Sequence, residues 1–329
     1  MAIHIILLLA GLALIVFGAD YLVDGASSIA RRSGLSEFVI GLTIVGMGTS
    51  APEMVVSFIG AAHGNADIAV GNVVGSNIFN TLLILGLTAL ILPMPVTREN
   101  RRRDIPLNLF VTLILVLLGM KFTLFGIGED GLSRLEGVLL IALFALYMWL
   151  SFRSGKSGSE ASSSSSAAGD EVSENAPVKS LPLSIVMVIG GLAALIVGGN
   201  FFVDSATWIA SALGVSDKFI AITILAGGTS MPELATCIVA AAKKRGQLAL
   251  GNILGSNMFN ILLILGGSAI IHPLSFGGMN LVDTGALLAS AVLVVFALVF
   301  GKKNYIDRAD GALLLATWIA YMTYLIINL

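Results

Sequence analysis

GLTIVGMGTSAPEMVVSFIGAAHGNADIAVGNVVGSNIFNTLLILG, residues 41–86, realigns without a gap on AITILAGGTSMPELATCIVAAAKKRGQLALGNILGSNMFNILLILG, residues 221–266. Every matched pair stands 180 positions apart, and 22 of the 46 positions are identical. The same register continues upstream and pairs Gly18 with Gly198, Asp24 with Asp204, Gly34 with Gly214 and Ser36 with Ser216. The chain is an internal duplication.

Around this repeat the chain reads as a lipid-embedded protein. Of its 329 residues 57% are hydrophobic and 12% charged, against about 25% charged in an average soluble domain. Apolar runs between polar breaks predict ten helices, near 2–30, 37–62, 67–92, 104–120, 135–152, 182–212, 219–242, 247–271, 281–300 and 309–328. Most of them reach the roughly 20 residues that a bilayer crossing needs. The first run, Ala2 to Phe17, lacks the basic start and small-residue cleavage site of a secretory signal and reads as a retained span. The expected fold is an all-α membrane protein of ten transmembrane helices in two five-helix halves, 1–152 and 182–329. A flexible linker, 153–181, joins them; it is rich in Ser and Gly and has almost nothing to bury.

Five spans per half send the second copy into the membrane from the opposite side, which makes the repeats inverted. The basic residues test this arrangement. Fifteen of the 18 Lys and Arg fall on one side, including Arg98 to Arg103, the linker and Lys243 to Arg245, while Lys121, Arg134 and Lys218 fall on the other. The positive-inside rule then puts the linker in the cytoplasm and both termini outside a plasma (inner) membrane. Net charge is only −2, so nothing points to nucleic acid, and no protein partner is indicated. The single cysteine, Cys237, and three scattered histidines, His4, His63 and His272, offer neither a disulfide scaffold nor a zinc site.

The polar residues of each repeat gather mid-span in two blocks, GTS-x-PE at Gly48 to Glu53 and Gly228 to Glu233, and GN-x-x-GSN-x-FN at Gly71 to Asn80 and Gly251 to Asn260. A glutamate in hydrocarbon costs a few kcal/mol or more, so Glu53 and Glu233 are expected to face an interior cavity with a compensating partner. Neither block supplies a basic residue. A bound cation remains, and two carboxylates match one divalent ion.

Pro52 and Pro232 lack an amide N–H and crowd the carbonyl four residues back, so each helix is expected to break near Gly48–Thr49 and Gly228–Thr229. Freed carbonyls are tolerated at membrane depth where they line a cavity or hold an ion. Thr49 and Glu53 are four apart, as are Ser76 and Asn80, Thr229 and Glu233, and Ser256 and Asn260, so each pair shares a helix face. The donor set is all oxygen, which suits calcium and sodium rather than copper or zinc.

These blocks resemble the alpha repeats of the calcium/cation antiporter superfamily, in particular its sodium/calcium exchangers of prokaryotic type. The resemblance covers essentially the whole chain. It implies alternating access, with the first and sixth helices sliding across a core of helices two, three, seven and eight. It implies that calcium is held by Glu53 and Glu233 with the carbonyls of Thr49 and Thr229. Sodium would use Thr49, Ser50, Glu53, Ser76 and the Gly46 carbonyl in one half, and Thr229, Ser230, Glu233, Ser256 and the Ala226 carbonyl in the other, with Asn80 bordering a central site. Many relatives carry aspartate where this chain has Asn260, which leaves two carboxylates instead of three. The cation/proton branch usually places a glutamate where this chain has Gly75 and Gly255, which favours sodium as the driving ion.

Other readings stand beside this one. The spacings Gly71-x-x-x-Gly75 and Gly251-x-x-x-Gly255 also suit close helix packing, and the hydroxyls and amides suit interhelical hydrogen bonds. Asp24 and Asp204 read as solvated or capping residues near span ends. A calcium/proton antiporter, a passive channel and a membrane enzyme remain alternatives, although no nucleophile distinct from the candidate ligands supports the enzyme. GNVVGSN lacks the GK[ST] ending of a phosphate loop, so no ATPase is indicated. No cofactor is expected beyond the transported ions.

Overall fold

The computed structural model describes residues 1–161, 179–214, 226–277, 279–301 and 304–328. Most of the segment read as a linker, and the start of the span read at 219–242, lie outside the described residues. The helices are α1 (Ala2–Ser33), α2 (Glu37–Thr49), α3 (Ala51–Ala62), α4 (Ala66–Ile91), α5 (Ile105–Gly119), α6 (Arg134–Ala161), α7 (Leu181–Ala212), α8 (Met231–Ala242), α9 (Gly246–Ile271), α10 (Leu281–Phe300) and α11 (Arg308–Ile327).

Seven of these, α1, α4, α6, α7, α9, α10 and α11, are long and apolar enough to cross a bilayer, and the bent pair α2 with α3 makes an eighth. Two expected spans fall short of that length among the described residues. At 104–120, α5 has 15 residues, because the Asn100–Asp104 turn before it carries three arginines and is no longer apolar. At 219–242, only the 12-residue α8 and the short turn Ala226–Gly228 are described. The chain is a mostly helical membrane protein whose outward faces, such as Ile3, Ile6 and Leu9 on α1, expose large apolar side chains.

α1 packs along α7, the helix that the 180-residue register pairs with it. Gly11 lies against Gly198, Gly18 against Gly191 and Gly25 against Ser184, so the two run antiparallel. A Cβ at Gly18 would lie 2.8 Å from the Gly191 carbonyl oxygen, which is why the seam is built from glycine. Two small antiparallel clips tie the first half to the second: Met94–Pro95 pairs with Tyr305–Ile306, and Gly131–Leu132 with Leu274–Ser275.

The interior belongs to the repeat. α9 is buried along nearly its whole length, and its Gly251 and Gly255 press on the backbone of α2 at Phe38 and Leu42. Nothing described lies within 4 Å of a Cβ at Gly71 or Gly75, whose register partners for that contact, 218 and 222, are outside the described residues. Wide π turns at Phe79–Ile84 and Phe259–Leu265 begin 180 positions apart, each taking in a motif asparagine, Asn80 or Asn260. Such turns swell a helix locally and recur at functional sites.

Candidate cation site

The helix carrying GTS-x-PE breaks where the prolines require. α2 ends at Thr49, Ser50 leaves helical geometry at φ −81° and ψ 9°, and α3 restarts with Pro52 in its first turn, bent by 48°. Ser230 takes the same shape, φ −88° and ψ 8°, before Pro232 in α8. Each break places a glutamate in the first turn of a new helix, where the helix dipole favours negative charge.

Glu53 and Glu233 are both fully buried. Their first carboxylate oxygens are held across the halves: Ser50 Oγ donates to Glu233 Oε1 at 2.8 Å, and Ser230 Oγ donates to Glu53 Oε1 at 3.0 Å. Within each half, Ser76 Oγ stands 3.5 Å from Glu53 Oε1 and Ser256 Oγ 3.4 Å from Glu233 Oε1. Each carboxylate is thus bonded to the serine at the break before the other, which brings the two into one cluster. Neither meets a lysine or arginine among the described residues, and no group of three or more Asp, Glu, His or Cys forms there.

The second oxygens, Glu53 Oε2 and Glu233 Oε2, are buried with no hydrogen-bond partner among the described residues, as are Asn80 Oδ1 and Asn260 Oδ1. Leaving such an atom unpaired costs about 1–3 kcal/mol, and more when it is charged. All four atoms are acceptors with no proton to offer when the carboxyls are ionised, so what they lack is a donor or a cation. An oxygen-seeking cation meets that need; the set holds no sulfur or imidazole that a softer metal would require.

The remaining expected residues fall in or beside this cluster. Thr49 is fully buried and Thr229 half-buried beside the Ser230 break. The Gly46 carbonyl accepts from Ser50 N at 3.1 Å, and Ser256 Oγ, which also faces Glu233 Oε1, lies 3.3 Å from it. Ala226 opens the turn Ala226–Gly228, and the backbone before it lies outside the described residues.

The sequence reading did not single out Asn72, Asn252, Asn77, Asn257 or Thr81. Asn80 Nδ2 donates to Asn257 Oδ1 at 3.2 Å, Asn260 Nδ2 to Asn77 Oδ1 at 3.3 Å, and Asn257 Nδ2 to Thr81 Oγ1 at 2.8 Å. The two halves thus share a set of amide bonds that cross between the copies. Its signal was present in the identical GN and GSN pairs, but the partners sit in opposite copies.

A cavity of about 510 Å³ reaches the cluster from one face, lined by Pro52, Asn72, Asn200, Asp204, Thr229 and Pro232 among others. Asp24, the register partner of Asp204, is engaged instead: Lys243 Nζ lies 2.7 Å from its carboxylate and Lys179 Nζ 3.0 Å. Lys243 also reaches Asp20 at 2.7 Å and so ties α1 to the end of α8. Neither aspartate acts as a helix cap. One is held by two lysines while its counterpart lines the cavity.

The family model for sodium/calcium exchanger proteins matches residues 3–153 and 183–327. A putative antiporter CaxA of Alkalimonas amylolytica is 39% identical over 98% of both chains, and the sodium/calcium exchanger MaX1 of Methanosarcina acetivorans is 35% identical over 98% of both. A solved structure of the sodium-calcium exchanger NCX_Mj superposes with a TM-score of 0.81 at 33% identity, covering 98% of each chain. The duplicated motif, the fold and these matches agree, and the chain belongs to the sodium/calcium exchanger family of membrane cation antiporters.

Proposed function

We propose that this protein exchanges sodium for calcium by alternating access, with the ions bound midway through the membrane between two inverted five-helix halves. The observation that carries the reading is the pair of buried, unpartnered oxygens Glu53 Oε2 and Glu233 Oε2. Calcium would lie between them with the Thr49 and Thr229 carbonyls. Sodium would take Thr49, Ser50, Glu53, Ser76 and Gly46 in one half, and Thr229, Ser230, Glu233, Ser256 and Ala226 in the other, with Asn80 and Asn260 at the centre.

Electrostatics makes exchange obligatory. One calcium or several sodium ions neutralise the carboxylates, whereas an empty ionised site is costly to enclose. The antiparallel α1 and α7, packed on each other through glycine, suit a pair that slides over the core formed by α2, α3, α4, α8 and α9. The ten spans divide as 1–152 and 182–329 around the cytosolic linker 153–181, with both termini outside the inner membrane. The antiparallel α1–α7 pair and the cross-half clips support this inverted arrangement.

The test is radiolabelled calcium uptake by the purified protein in liposomes loaded with sodium. A sodium gradient alone is expected to drive uptake, and Glu53→Gln or Glu233→Gln to abolish it. Uptake driven only by a proton gradient would replace this reading with calcium/proton exchange.

A further inference from the structure

Asn72 and Asn252 stand 180 positions apart and outside the ligand set above, yet each touches a threonine within it. Thr49 Oγ1 donates to Asn252 Oδ1 at 3.2 Å, and Thr229 Oγ1 to Asn72 Oδ1 at 3.4 Å, so each contact crosses between the halves. Chemistry fixes which way the Asn72 amide faces, and Asn252 is oriented alike. Asn72 Nδ2 lies 3.1 Å from the Glu53 carbonyl oxygen and 3.0 Å from Ser57 Oγ; a carbonyl only accepts, so the amide NH₂ must face it. Asn252 Nδ2 lies 3.3 Å from Cys237 Sγ, whose own proton is directed to the Ala249 carbonyl at 3.7 Å. In both residues the oxygen is left for the threonine.

A threonine hydroxyl has one proton and two lone pairs. The proton's destination decides whether the oxygen can meet a cation. Thr49 has competing acceptors, the Gly46 carbonyl oxygen at 3.4 Å and the nearby Glu233 carboxylate, both among the proposed ion ligands. We propose that Asn72 and Asn252 are positioning residues that draw off the hydroxyl proton of the opposite half's threonine. Thr229 and Thr49 are thereby kept as pure acceptors, and the Gly46 carbonyl is spared for sodium. The inference rests on the exchanger reading above. In that reading calcium uses the threonine carbonyls, so the hydroxyl's direction bears on sodium and much less on calcium.

The experiment measures sodium-driven calcium flux in proteoliposomes of the full chain, titrating each ion in turn. Asn252→Leu is expected to raise the sodium half-saturation about five-fold, the weight of one hydrogen bond, and to leave the calcium value within about two-fold. Thr49→Val is expected to do the same, and the double variant to add nothing, because both changes remove one arrangement. Asn72→Leu with Thr229→Val repeats the cycle at a half-buried position, should the first set fail to fold. Equal shifts in both half-saturations, or additive losses in the double variant, would overturn the proposal and leave the amides as packing. Absence of sodium-driven flux in the unmodified protein is a different result, and it overturns the exchanger reading together with this inference.

Discussion

Ser50 Oγ donates a 2.8 Å hydrogen bond to Glu233 Oε1, and its duplicate Ser230 returns a 3.0 Å bond to Glu53 Oε1. Each half of the chain therefore completes the carboxylate of the other. Neither copy builds a site alone, which gives the duplication a physical reason to persist as a pair within one chain.

Removing one of these hydroxyls takes away a hydrogen bond to a charged group, worth about 1.5–3 kcal/mol. Ser50→Ala and Ser230→Ala are each expected to weaken the apparent calcium affinity about ten-fold or more. Calcium titration of uptake by the reconstituted variants checks this. An affinity equal to wild type would mean that the hydroxyls do not shape the site.

Protons compete for the same oxygens as the cations, because no basic residue offsets either glutamate among the described residues. Below the pH at which the pair takes up protons, apparent calcium affinity is expected to fall by up to about ten-fold per pH unit for each proton displaced. Uptake should rise with pH and then level off. A flat profile from acidic to neutral pH would contradict the competition.

Among the described residues Asn260 Oδ1 is buried and unpartnered, and its neighbour Asn77 has an amide nitrogen that is unpartnered too. An aspartate at 260 gains a donor as soon as Asn77 turns, and it adds a third carboxylate to the site. Asn260→Asp is expected to bind calcium about ten-fold more tightly, on the scale of one added charge-assisted contact. Reversal potentials are expected to report one more sodium ion per calcium. Unchanged affinity and coupling would place Asn260 outside the ion path.

A Cβ at Gly255 would lie 2.6 Å from Leu42 Cα, at the contact of α9 with α2. Gly255→Ala is expected to destabilise the protein by about 1–3 kcal/mol through overpacking. A lowered melting temperature in detergent is the readout. An unchanged melting temperature would mean that the two helices separate at little cost.

Much of this was legible in the sequence. Gapless self-alignment exposed the register, and proline chemistry placed the breaks near Gly48–Thr49 and Gly228–Thr229, just before the observed ones at Ser50 and Ser230. The cost of carboxylates in lipid singled out Glu53 and Glu233. The π turns at Phe79 and Phe259 were not legible, since a swollen turn keeps the same apolar pattern as a regular one. Nor were the bonds from Thr49 to Asn252 and from Asn80 to Asn257. Helical periodicity reports which residues share a face of one helix, while those contacts depend on how two copies face each other. The unequal fates of Asp24 and Asp204 were hidden for a related reason: duplication makes them equivalent in sequence, and their partners, two lysines for one and the cavity for the other, come from distant elements.

The most direct test soaks crystals of the protein in calcium or strontium and locates the ion by its anomalous scattering. The account expects a peak between the Glu53 and Glu233 carboxylates, within about 2.3–2.6 Å of their free oxygens for calcium, and its displacement at high sodium. A peak elsewhere, or none there at saturating calcium, would contradict it.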